Sequence, residues 1–119
     1  MRRKWLLGAL ILSVATGFLS VSLLSAVALA AGNKHVSEAV EHAKEAIEHG
    51  KKGHADVLVK HAELALKHAE LAQKDMKDNG HVAEGVKGLK DAIEHGKAGH
   101  ADIATKSAEG ALMHLSEVK

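Results

Sequence analysis

The chain has 119 residues, and its 16 Lys and Arg nearly balance 15 Asp and Glu, for a formal charge of +1. Near-neutrality with only 2% aromatic residues excludes the basic, base-stacking surface of a nucleic-acid-binding protein. The absence of cysteine excludes a disulfide framework and thiolate metal chemistry, which leaves ten histidines as the main soft ligands.

The first thirty residues differ from the rest. Met1-Arg2-Arg3-Lys4 is a basic start, and Trp5 to Ala30 carries no charge. Ala28-Leu29-Ala30 is a small-x-small triplet, so residues 1–30 read as a secretory signal peptide cut after Ala30. The apolar run is long enough to cross a bilayer, and an uncleaved membrane anchor is the alternative. Either way residues 31–119 are exported, and periplasmic location is the expectation. Once the signal is removed, no membrane association is expected.

Beyond the leader the chain repeats itself. Residues 35–73 and 81–119 align without a gap at an offset of 46. Ala46-Ile47-Glu48-His49-Gly50-Lys51-Lys52-Gly53-His54-Ala55-Asp56 returns as Ala92-Ile93-Glu94-His95-Gly96-Lys97-Ala98-Gly99-His100-Ala101-Asp102. Each copy is one supersecondary unit. Ala, Glu, Lys and Leu favour helix, and the Gly-Lys-x-Gly segments supply the break. The spacing predicts helices over 35–49, 54–76, 81–95 and 100–117. A connection this short makes each pair antiparallel. Residues 31–119 are therefore expected to form one all-α domain, an antiparallel four-helix bundle of two duplicated hairpins, 35–76 and 81–117.

The apolar pattern has period seven. Val36 and Ala43 take position a, Ala39 and Ala46 take d, and Val40 and Ile47 take e. Ala55, Ala62 and Ala69, then Leu58, Ala65 and Ala72, then Val59 and Leu66 repeat this on the second helix. Such a stripe is the broad face of a bundle helix. It is rich in alanine, so the core offers little apolar area and bound metal should add stability by mass action.

Every histidine then falls at position g, beside the stripe. Across an antiparallel pair, g faces g. The turns fix the pairs as His49 with His54, His42 with His61, His35 with His68, His95 with His100 and His81 with His114. In the second copy Gly88 and Ser107 replace both partners of the middle pair, which are lost together.

Distance decides how an ion could bind. Residues seven apart on one helix are about 10 Å apart along its axis, far beyond two metal–nitrogen bonds of about 2.0–2.1 Å. Each site must therefore take one imidazole from each helix. Glu38 and Glu45 lie three residues after His35 and His42, and Glu84 and Asp91 repeat these positions. All four are candidate ligands, because residues three or four apart are neighbours on a helix. Two imidazoles, a carboxylate and water suit copper(II), Cu(II), above nickel(II), Ni(II), and zinc(II), Zn(II). Met76 and Met113 are too few for a thioether copper(I) site.

Other readings remain. A histidine-rich helix can be a solvated face, and single carboxylates often pair with lysines. Asp56 and Asp102 suit the first turn of a helix, and Gly50, Gly53, Gly96 and Gly99 read as turn residues. A bis-histidine haem bundle is an alternative, although no Cys-x-x-Cys-His attachment motif is present. A helical interaction protein with a histidine pH switch is another. No nucleophile–base constellation points to an enzyme.

The run from His35 to Asp56, His-Val-x-Glu-Ala-Val-x-His-Ala-x-Glu-Ala-Ile-x-His-Gly-Lys-x-Gly-His-Ala-Asp, resembles the small metal-binding protein family of exported bacterial proteins. The likeness covers essentially all of residues 31–119. It implies a periplasmic, monomeric four-helix bundle that binds several divalent ions, chiefly copper, in scavenging or tolerance. Gly88 and Ser107 depart from that pattern and put a middle site in the second hairpin in doubt.

Overall fold

The computed structural model describes residues 33–119. The expected signal peptide and its cleavage after Ala30 lie outside the described residues. Four helices follow in order: α1 (Lys34–Lys51), α2 (Ala55–Asp75), α3 (Gly80–Lys97) and α4 (Ala101–Ser116). There is no strand among the described residues, and none of their helices is long and apolar enough to cross a membrane.

Asparagines start the first helix of each hairpin. The Asn33 side chain accepts from the Val36 N–H at 3.2 Å, and that of Asn79 accepts from His81 and Val82 at 3.0 and 3.1 Å. Each satisfies amide protons that the first turn leaves free. Histidines stand at the start of α2 and α4 instead. His54 and His100 make no side-chain capping bond, and Asp56 and Asp102 lie in the first turn, where the helix dipole favours negative charge.

The turns are Schellman motifs. The His54 N–H donates to the His49 carbonyl at 3.0 Å, and the Gly53 N–H to the Gly50 carbonyl at 3.0 Å. His100 and Gly99 repeat both bonds to His95 and Gly96. Gly53 and Gly99 supply the left-handed residue, with φ of 81° and 82°. Gly50 and Gly96 differ from the expectation of turn residues, because both are buried inside their helices. A Cβ on Gly50 would collide with Thr105 and Leu58, and one on Gly96 would stand 2.5 Å from Val59. These two glycines let helices approach closely.

The helices pack in a ring, α1 against α2, α2 against α3, α3 against α4, and α4 against α1. The two hairpin seams, α1–α2 and α3–α4, are therefore on opposite sides of the bundle. The a and d positions are buried apart from Ala55 and Ala101 at the helix starts, with Ile47, Val86 and Thr105 from the e positions. Thr105 satisfies its hydroxyl by donating to the Ala101 carbonyl at 2.7 Å.

Side-chain sizes are complementary between the copies. Leu58, Leu89 and Leu115 are the largest fully buried side chains, and each stands where the other copy has alanine: Ala104, Ala43 and Ala69. Leu89 and Leu115 of hairpin two cluster with Ala39, Ala43 and Ala69 of hairpin one. Leu58 of hairpin one clusters with Ala104 of hairpin two. The duplicated units have thus diverged in opposite senses, and a core made largely of alanine fills by large residues meeting small ones. Lys51–Glu109, Lys97–Glu63 and Lys90–Glu70, at 3.3, 3.2 and 3.8 Å, join the hairpins at the surface. Exposed pairs of this kind contribute about 0–1 kcal/mol each.

Candidate metal centre

All ten histidines stand in the pairs that the turns dictate. Ring centroids are 5.7 Å apart for His35–His68, 6.1 Å for His42–His61 and 6.0 Å for His49–His54. In the second hairpin they are 5.6 Å apart for His81–His114 and 6.3 Å for His95–His100. Every one of these contacts is within a hairpin. The Schellman turn explains the register, because the backbone bond that closes each turn joins the two histidines of the adjacent pair.

In hairpin one the carboxylates join the imidazoles. Glu38 Oε2 lies 2.9 Å from His68 Nδ1 and 3.6 Å from His35 Nδ1. Glu45 Oε2 lies 3.1 Å from His61 Nδ1, and its Oε1 lies 3.8 Å from His42 Nδ1. His35, Glu38 and His68, and likewise His42, Glu45 and His61, each bring three ligand atoms within 4.8 Å of one another. In the first group the three atoms are 2.9, 3.5 and 3.6 Å apart, close enough for one ion with bonds of about 2.0–2.2 Å to reach all of them. Glu38 also has Lys34 at 4.0 Å.

The donors are poorly satisfied by the protein itself. The Nδ1 atoms of His42, His49 and His61 are buried without a hydrogen-bond partner. His61 Nδ1 is near Glu45 but lacks the alignment of a hydrogen bond. A buried polar atom left this way costs about 1–3 kcal/mol. A cation held between the rings and the carboxylate would remove that cost.

The turn pair, His49 with His54, has no acid at the corresponding spacing. Lys52 stands there and donates to Glu48 at 3.0 Å. That hydrogen bond, reinforced by the lysine charge, holds the Glu48 carboxyl below its ordinary range.

Hairpin two keeps its histidine pairs without this completion. His81 Nδ1 and His114 Nδ1 are 3.3 Å apart. Glu84 and Asp91 are exposed, and neither belongs to a three-donor group among the described residues. The middle pair is absent for a packing reason as well as a chemical one. A Cβ on Gly88 would lie 2.9 Å from Ala111 Cβ and 3.2 Å from the Ala111 backbone. A side chain at this position must therefore push against Ala111 of α4, although a surface hollow lined by Glu84, Asp91, Ser107 and His114 lies beside it.

One feature of hairpin one goes beyond isolated pairs. His42 also stacks on His68, at 5.7 Å and 8°, and His49 on His61, at 5.4 Å and 3°. These diagonals are as close as the pairs, and their rings are closer to parallel. The sequence spacing His-x-x-Glu-x-x-x-His puts each glutamate between two histidines of α1, but the diagonals themselves depend on the offset between the two helices.

A helical bundle with imidazole seams on opposite sides, and carboxylates closing one of them, has the form of a metal-binding protein. A family model described as small metal-binding protein matches residues 9–118, and the chain belongs to that family. A comparison with curated proteins finds no match.

Proposed function

We propose that the protein is an exported, monomeric carrier of several divalent ions, chiefly copper(II), which buffers them in the periplasm. The observation that supports this most directly is the pair of three-donor groups, His35–Glu38–His68 and His42–Glu45–His61. Their imidazole and carboxylate donors suit late first-row ions, and the stability order favours copper(II) over nickel(II) and zinc(II). The bare pairs His49–His54, His81–His114 and His95–His100 extend capacity with weaker sites completed by water. Glu84 and Asp91 could serve there only after swinging toward the histidines.

No reaction is involved, and the ions are cargo. Because partly exposed rings line the seams at the bundle surface, ions enter and leave from solvent as the rings turn outward, without the bundle opening. Isothermal titration with copper(II) near neutral pH tests this reading. Two tight ions per chain are expected, followed by weaker ones, with nickel(II) and zinc(II) binding less tightly in the same order. Less than one copper(II) per chain overturns it.

A further inference from the structure

The diagonal contacts place the six imidazoles of hairpin one in a single file: His35, His68, His42, His61, His49, His54. Successive centroids are 5.7, 5.7, 6.1, 5.4 and 6.0 Å apart. The ring centroids show no gap along the file, although among the described residues only the direct groups bring three donor atoms together, so a diagonal site needs its imidazole to turn toward the anchor.

The carboxylates follow the same logic. Glu38 is three residues after His35 and four before His42, and both spacings make neighbours on a helix. Its shortest approach is across the seam, to His68 Nδ1 at 2.9 Å. His68 and Glu38 therefore form a fixed two-donor anchor, and His68 stacks on both His35 and His42 at 5.7 Å. Glu45 and His61, 3.1 Å apart, form a second anchor, flanked by His42 at 6.1 Å and His49 at 5.4 Å. The unpartnered buried nitrogens belong to the residues around this second anchor, His42, His49 and His61.

We propose that each anchor has two alternative third ligands, so that hairpin one holds diagonal sites, His68–Glu38–His42 and His61–Glu45–His49, alternating with the direct ones. Within an anchor a divalent ion exchanges one imidazole for the other while the two anchor donors stay bound. The shared His42 links the two anchors, and an ion passes between them by staying on His42 while the histidine and glutamate of one anchor give way to those of the other. Hairpin two has no such path, because Gly88 and Ser107 interrupt the file and its two histidine pairs stand two heptads apart. This proposal rests on the metal-binding reading above and specifies how the ions occupy the seam.

A version of the full chain that keeps only His35, His42 and His68, with the other seven histidines changed to alanine, isolates the first anchor. The replaced rings lie beside the core rather than in it, and circular dichroism checks that the helices remain. Copper(II) is titrated into this version and into its His35→Ala, His42→Ala and doubly substituted forms. Each single change is expected to weaken binding only about twofold, the loss of one of two equivalent arrangements. The double change is expected to weaken it about tenfold or more. If His35→Ala alone gives the full loss and His42→Ala none, the diagonal site does not exist and the seam holds fixed pairs. If the three-histidine version keeps its helices but binds no copper(II), the anchor itself fails, and the metal-binding reading of this group fails with it.

A second measurement uses the unaltered protein. Copper(II) added at well below one equivalent should broaden the ring-proton magnetic resonances of all six hairpin-one histidines together. Broadening confined to one pair overturns the exchange of ions along the file.

Discussion

The two hairpins come from one repeated unit, yet they differ in chemistry and in packing. Hairpin one keeps three histidine pairs and brings Glu38 and Glu45 into them. Hairpin two keeps two pairs, leaves Glu84 and Asp91 in solvent, and at its middle sets Gly88 where a Cβ would press on Ala111. The same copy that lost donors gained core: Leu89 and Leu115 stand where hairpin one has Ala43 and Ala69. A duplicated unit can therefore divide its labour, with one copy carrying ligands and the other supplying much of the hydrophobic mass that both need.

The largest effect should come from erasing the packing difference. Leu89→Ala makes hairpin two resemble hairpin one at a fully buried position. It should lower the stability of the metal-free protein by about 2–5 kcal/mol, read by denaturant unfolding. A loss below about 1 kcal/mol would mean that large-against-small packing is not what joins the copies.

Erasing the chemical difference should have an intermediate effect. Gly88→His with Ser107→His writes the missing pair back into hairpin two. The contact with Ala111 should make the change destabilising by about 1–3 kcal/mol, and titration should show no additional tight ion. An extra ion at unchanged stability would show that the gap between α3 and α4 is adaptable and that only ligand identity separates the hairpins.

The smallest effect sharpens the role of the carboxylates. Glu45→Gln should weaken one of the tight sites about tenfold, or 1.4 kcal/mol, whereas Asp91→Asn at the equivalent position should leave the titration unchanged. Equal responses would place both hairpins in one class of site and remove the distinction between them.

Much of this was legible in the sequence because two periodicities coincide. The heptads gave the buried stripe, the repeat gave the two hairpins, and the glycines gave turns short enough to fix which histidines face each other. Each helix end falls within two residues of the position expected from the pattern. Three things were not legible. Gly50 and Gly96 look like turn glycines, and only the approach of Thr105, Leu58 and Val59 shows that they serve packing. Glu84 and Asp91 share the spacing of Glu38 and Glu45, but spacing along a helix does not decide which way a flexible carboxylate turns. The single file of rings depends on the offset between two helices, which a residue count alone does not supply.

The turn sets limits on how such a protein can change. The backbone bond from His54 to the carbonyl of His49 is also the link between the histidines nearest the turn. One residue inserted there would rotate everything beyond it by about 100°, the angle of one residue in a helix of 3.6 per turn. All six rings of that hairpin would lose their partners at once. Insertions near the turn are thus penalised as a block, and capacity can grow only at the open end, by a whole heptad on both helices. Storage capacity in this architecture is accordingly inherited in discrete steps, one pair of histidines at a time.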